Sequence, residues 1–401
     1  MKRVLMITSD YHPAYGGIGI HVDHLITYLN RQGIDVTVLV ARLKVSDSYT
    51  SGNEVYRITE EKEHLKVVEI HTDFSKVLSK EENEILQQVE EKDSFDYYCG
   101  VLNQVFVKAA GAYLKEEKEP FDLIHLHDAF VSYGAVLIGK YLRIPVVATM
   151  HSMNSDEEWL IDNVRRYLVN NVEKVMCVSR YIQNEIMERF QFQKSDKILT
   201  MHNSVKIAEE RDSAKIEKGR IVFCGRLEAV KGVDLLLEAV EKLPLRYREN
   251  LQVFIIGSGS CQEELSAMCS EKKLDKYVTF TGQIDQKEVF AYFDTAQCVV
   301  LPSRKEPFAT SALEAMARGC CVLASATGGF TELISDHENG LLFESENAAD
   351  LEKKLEEVFD HEVAVWEMGK RAREKVVREY SWDATARKIA AIYEEVLAER
   401  R

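Results

Sequence analysis

The feature that most constrains this chain is a repeated change of hydrophobic period. Val4-Leu5-Met6-Ile7 is a short apolar run of strand length; Val22, Leu25, Ile26 and Leu29 then recur at helical spacing, Gly33 ends that stretch, and Val36–Val40 forms the next run. Strand, helix, strand in this order builds a parallel sheet, because parallel neighbours need a crossover long enough to hold a helix. The runs Val67–Ile70, Leu123–Leu126, Val146–Thr149, Val175–Val178 and Ile198–Met201 extend the series. Residues 43–120 are acidic and rich in helix formers, and the pattern assigns them no topology.

The series begins again at Arg220-Ile221-Val222-Phe223-Cys224, with a helix over Val233–Leu243, a strand over Leu251–Ile256, and Gly257-Ser258-Gly259 opening another helix. Runs at Thr279–Thr281, Cys298–Leu301, Cys321–Ala324 and Leu341–Phe343 continue it, between helices centred on Ala291, Leu313 and Leu355. A chain of 401 residues exceeds the size at which one core stops growing. The expected fold is therefore α/β, with two doubly wound domains over 1–203 and 204–380. The polar, aperiodic residues 206–218 are expected to link them across a cleft, and ligands are expected at the carboxyl ends of the strands.

Charge narrows the function classes. The formal charge of -15 is spread over both halves, and no run supplies the basic face that nucleic acid requires. A phosphate site must then be built locally, and membrane contact is at most peripheral, for instance through Arg165-Arg166. The eight cysteines show no Cys-x-x-Cys spacing and read as small buried hydrophobes; no acid cluster has metal-ligand spacing, so no metal is expected. Met1-Lys2-Arg3 precedes only four apolar residues, too few for a secretory signal, and no apolar stretch reaches membrane-spanning length. A cytoplasmic location is the expectation.

Three segments between strand and helix carry candidate chemistry. Tyr11-His12-Pro13-Ala14-Tyr15-Gly16-Gly17-Ile18-Gly19 offers backbone amides at a helix start, where a tight turn and an anion site are both open readings; its spacing is not that of a dinucleotide fingerprint. Gly225-Arg226-Leu227-Glu228-Ala229-Val230-Lys231-Gly232 puts two cations on one loop, which suits a diphosphate unless both are paired with nearby acids. Leu301–Gly319 contains Glu306 before a helix and Glu314 within it, just over two turns apart, so that both can touch one extended ligand. The amides of Phe308, Ala309 and Thr310 fall at that helix start, where the dipole favours a phosphate. His151 ends a strand and faces the expected cleft, in place of the commoner satisfied core histidine. Alternation sends His125 and His127 to one face, and neither they nor Asp128 are assigned a role.

Taken in order, Gly16-Gly17, His151, Val178-Ser179, Asn203, Gly225-Arg226-Leu227 with Lys231-Gly232, Gly257-x-Gly259, the Glu306/Glu314 pair, Gly328-Gly329 with Glu332, and Tyr380-Ser381-Trp382 resemble the retaining glycosyltransferases of GT-B fold. The resemblance runs nearly end to end and includes the group 1 glycosyl transferases of glycogen synthase and sucrose-phosphate synthase type. It implies two Rossmann-like domains, with a last helix over 381–401 crossing back to the first. Arg226 and Lys231 would hold the donor diphosphate as the sugar departs, replacing a metal, and Glu314 would accept from ribose hydroxyls. Glu306 would contact the transferred sugar beside the Phe308–Thr310 amides, His151 would lie near the anomeric carbon, and Gly16-Gly17 would let backbone approach phosphate and acceptor.

No further cofactor is implied. The donor would be a nucleotide diphosphate sugar, UDP before GDP or ADP, and the acceptor a small molecule, glycan or lipid. A carboxylate pair also suits a glycosidase, but a diphosphate leaves without an acid's help, which removes the need for that chemistry. A UDP-sugar epimerase of the same fold, or a non-catalytic nucleotide-sugar-binding subunit, are the alternatives. Three departures from the family pattern stand out: Asn203-Ser204-Val205-Lys206 lacks a common glycine, Ala309 stands where glycine is frequent, and Cys320-Cys321 replaces the usual residue and proline.

Overall fold

The structure, a computed structural model, describes residues 2–11, 17–42, 55–71, 79–81, 95–127, 130–152, 158–192, 196–207 and 209–400. The chain divides into two compact units, Met1–His202 with Trp382–Arg401, and Asn203–Ser381.

Among the described residues the first unit holds an eight-stranded sheet in the order β3-β4-β2-β1-β5-β6-β7-β8. The strands are β1 Lys2–Thr8, β2 Ile34–Arg42, β3 Tyr56–Lys62, β4 Leu65–His71, β5 Leu123–Leu126, β6 Val146–Met150, β7 Lys174–Cys177 and β8 Ile198–Thr200. All neighbours run parallel except β3, which pairs antiparallel with β4. On β1, Val4, Leu5, Met6 and Ile7 are all buried, because helices cover both faces of the sheet. Burying one such side chain stabilises the fold by roughly 1.5–3 kcal/mol. Strand β3 has no counterpart among the sequence runs: as an edge strand it is mostly exposed, so Thr59, Glu60, Glu61 and Lys62 give it no apolar face to read.

The core under one face of this sheet joins both ends of the chain. Val22, Leu25 and Leu29 of the helix Gly17–Asn30 pack with Trp382, Ile389, Tyr393 and Val396 of the helix Trp382–Ala398. The crossing-back helix is thus part of the first unit's interior.

The second unit is a six-stranded parallel sheet among the described residues, in the order β11-β10-β9-β12-β13-β14. Its strands are β9 Arg220–Cys224, β10 Gln252–Ile256, β11 Val278–Gly282, β12 Cys298–Leu301, β13 Val322–Ser325 and β14 Leu341–Phe343. The segment read as a linker, 206–218, is anchored to this unit. Arg211 is buried and donates from Nη1 to the carbonyls of Phe293 and Ala296 at 3.2 and 2.5 Å, while Val205 N–H donates to Tyr380 O at 3.0 Å. Polarity there marks a hydrogen-bonding partner of the C-terminal end of the helix Gln286–Thr295, which hydrophobic periodicity does not distinguish from a loose connection.

Candidate active site

In the second sheet the strand order reverses between β9 and its neighbour β12, the place beside whose strand carboxyl ends ligands bind in open α/β sheets. These are the loops that carry Arg226 with Lys231 and Glu306. They touch main chain to main chain: a Cβ on Gly232, which has φ +65°, would lie 2.0 Å from the Pro302 carbonyl oxygen. Arg304 fastens them further. Its N–H donates to Val230 O at 2.8 Å, and its guanidinium to Ala229 O at 2.6 Å and to both oxygens of Asp234 at 2.9 and 2.5 Å.

Within this frame the ammonium of Lys231 donates to Glu306 Oε2 at 2.7 Å, and the Ser303 hydroxyl donates to the same oxygen at 3.2 Å. Glu306 is only 6% exposed, so the carboxylate is held by these partners in place of water. The glycines at 328 and 329 press on its backbone. Gly329 N–H donates to Glu306 O at 2.8 Å, and a Cβ on Gly328, at φ +50°, would meet that oxygen at 2.1 Å. Arg226 is exposed on the other loop. Beside it Glu228 accepts from Ser260 Oγ at 2.5 Å and from Ser260 N–H at 3.1 Å, which holds its carboxyl below the usual range.

Glu314 lies on the helix Thr310–Ala317, partly buried, and accepts from Gln286 Nε2 at 2.8 Å. Burial pushes its carboxyl up to about 7, with the Gln286 bond acting in the opposite direction. The N-cap residue of this helix, Ala309, is extended and makes no side-chain capping hydrogen bond; Phe308 and Ala309 are buried and Thr310 is half-buried.

In the first unit the sheet also reverses order, at β1 and β5, and histidines gather there. His151 follows β6 and is partly exposed; its Nε2 stands 3.2 Å from Nδ1 of His127, which follows β5 and is fully buried. His21, from the helix after β1, packs edge-on to His151 with ring centroids 4.8 Å apart, and Trp382 packs on His21 at 5.0 Å. Burial first, and the charges of neighbouring histidines second, hold His127 and His151 well below the ordinary imidazole range, so both are neutral. His21, His127 and His151 place ligand-capable nitrogens within 4.8 Å of one another, the one group among the described residues of a type that binds metal ions. His125 is a satisfied core histidine, with Tyr393 Oη at 2.6 Å from Nδ1 and Thr149 Oγ1 at 2.8 Å from Nε2.

The structure thus brings Lys231 onto Glu306 and puts Arg226 on the same loop as Lys231, with Glu314 on the helix that follows Glu306. Gly17 opens a helix, but the Gly19 amide in its first turn already donates to Asp10 Oδ2 at 3.1 Å. Gly16 and Asp128 lie outside the described residues. Sequence reading set His127 aside, whereas it contacts His151; it also passed over His21, Ser303, Arg304 and Gln286. His21 stands one position before the apolar helical stripe, which is the signal that could have found it. Arg304 and Gln286 act through partners distant in sequence and leave no local pattern, whereas Ser303 meets Glu306 only three positions on.

Comparison with known proteins agrees with this architecture. Residues 206–375 match the glycosyl transferases group 1 family and residues 15–209 match glycosyltransferase family 4. Glycogen synthase of Mycobacterium tuberculosis is 26% identical over 98% of this chain and 94% of its own length. Sucrose-phosphate synthase from Thermosynechococcus elongatus shares the fold with a TM-score of 0.79 at 21% identity, over 100% of both chains. Anabaena HepE in complex with UDP does so with a TM-score of 0.72 at 17% identity, over 98% of this chain and 100% of its own. With two parallel-sheet Rossmann-like units, and family matches that between them run from residue 15 to residue 375, the chain is a GT-B-fold glycosyltransferase whose residues 206–375 match glycosyl transferases group 1 and whose residues 15–209 match glycosyltransferase family 4.

Proposed function

We propose that this glycosyltransferase moves a hexose or amino sugar from a nucleotide diphosphate sugar, UDP-linked before GDP or ADP, to an acceptor hydroxyl with retention of anomeric configuration and without a metal. The observation that carries the reading is the Lys231–Glu306 pair on two loops at a strand-order reversal, with Arg226 exposed on the Lys231 loop. A diphosphate offers Lys231 a stronger partner than one carboxylate. Its arrival frees Glu306 to accept from sugar hydroxyls, while Arg226 and Lys231 hold the charge that builds on the departing diphosphate. Glu314 accepts from the ribose, the start of the helix Thr310–Ala317 faces the phosphates, and the neutral His151 donates a hydrogen bond to the sugar. The acceptor attacks from the leaving-group side. UDP is named with one structural neighbour of this fold and ADP with another, so the neighbours agree with a nucleoside diphosphate and the donor panel decides between them.

The test is transfer from a panel of nucleotide sugars to glycan, lipid and small-molecule acceptors, with the product anomer read by NMR. Retention, insensitivity to EDTA and loss of about 10²–10³ in kcat for Arg226→Ala are the expected results. An inverted anomer overturns the mechanism, and interconversion of the donor without acceptor identifies an epimerase instead.

A further inference from the structure

We propose that His127 is a positioning residue for His151: it donates from Nδ1 to His151 Nε2 and so fixes the proton of His151 on Nδ1. The proposal rests on the reading above in which His151 donates a hydrogen bond to the sugar.

Two neutral imidazoles at 3.2 Å share one proton, and either ring can be the donor. The choice is made at the far side of His127, whose Nε2 is buried with no partner among the described residues. If His151 donated, His127 would carry its own proton on Nε2, a buried N–H with nothing to receive it. If His127 donates, Nε2 is only an unfilled lone pair, the cheaper of the two defects. Burial keeps both rings neutral, so each has one donor and one acceptor nitrogen. The His127 ring is held for this task. Its main-chain N–H donates to Ile7 O at 2.9 Å, and its face lies 4.0 Å from the ring of His125, which Tyr393 and Thr149 fix at both nitrogens. With Nε2 of His151 occupied as an acceptor, Nδ1–H is the donor it has left to offer a sugar hydroxyl.

The experiment is long-range proton–nitrogen NMR on the full chain with labelled histidine, His151 being assigned by its loss in His151→Gln. The wild type is expected to show His151 protonated on Nδ1. In His127→Phe, which keeps a ring but removes the donor, His151 reverts toward the Nε2–H form that free imidazole side chains prefer. In His127→Asn, whose amide nitrogen stands near the place of Nδ1, the Nδ1–H form returns. Turnover follows: kcat falls about 10- to 100-fold in His127→Phe with donor KM little changed, and recovers to within about threefold in His127→Asn. Melting temperatures of the two variants separate this from unfolding. Protonation of His151 on Nε2 in the wild type, or an unchanged tautomer in His127→Phe, overturns the proposal. A tautomer that moves while turnover stays constant supports the positioning and overturns the reading that His151 serves the sugar.

Discussion

Removing the ammonium of Lys231 leaves Glu306 a buried carboxylate with the Ser303 hydroxyl still donating to it. A charge stranded in this way destabilises the protein, so Lys231→Met is expected to lose about 1–3 kcal/mol of stability as well as about 10²–10³ in kcat. Adding Glu306→Gln removes the stranded charge. The double variant should recover most of the stability in urea titrations while transfer stays lost, and a double variant as unstable as Lys231→Met would exclude the pair as the cause. Glu314 gives the residue scale a pH signature. Its carboxyl is ordinary near 4.5 when unfolded and raised to about 7 when folded. Below the lower value both states are protonated and nothing is lost. As pH rises through this window the unfolded chain releases its proton first, so stability falls, and the cost is complete above about 7. On the proposed role of Glu314 donor binding is expected to run the other way, because an ionised carboxylate accepts ribose hydroxyls better. UDP-glucose affinity measured calorimetrically should therefore rise as pH passes through about 7 in the wild type, and be weaker and flat in Glu314→Gln.

At the scale of elements, the loop before the helix Thr310–Ala317 depends on Gly328 beneath it. A methyl group there meets Glu306 O at 2.1 Å with a positive φ besides, so Gly328→Ala must move the Glu306 backbone. Displacements near 1 Å can cost about 10²-fold in rate, and Gly328→Ala is expected to lose at least tenfold in kcat/KM with about 1–3 kcal/mol of stability. Steady-state kinetics alongside thermal melting measures both, and unchanged kcat/KM would show that Glu306 needs no such support. Elements of this kind were unevenly legible. Buried parallel strands such as β1, β9 and β12 announce themselves as continuous apolar runs, and loops such as Gly225–Gly232 and Leu301–Ala309 sit at strand-to-helix junctions that spacing can find. Strand β3 was hidden by its exposed edge position, and Arg211 by the polar segment around it. The latch from Arg304 to Asp234 and the contact from His127 to His151 join residues 70 and 24 positions apart, and nothing in a local pattern encodes such pairs.

For the molecule as a whole, the two units differ in how the chain supplies them. The second is continuous from Asn203 to Ser381 and contains Arg226, Lys231, Glu306 and Glu314. The first needs both chain ends, because Trp382, Ile389, Ile392, Tyr393 and Val396 complete the core around Val22, Leu25 and Leu29. At roughly 1.5–3 kcal/mol for each large apolar side chain, that helix contributes about 7–15 kcal/mol, as much as the entire net stability of a typical domain. A fragment of residues 1–202 is therefore expected to lose cooperative unfolding and to expose apolar surface to dye. A peptide of residues 381–401 added in trans should restore the transition, since Tyr393 regains His125 and Trp382 regains His21. The fragment 203–381 should melt cooperatively by itself and be stabilised by UDP-glucose without transferring the sugar. If 1–202 folds as well without the helix as with it, the returning segment is an accessory of the first unit and its apolar contacts carry little of the stability assigned to them.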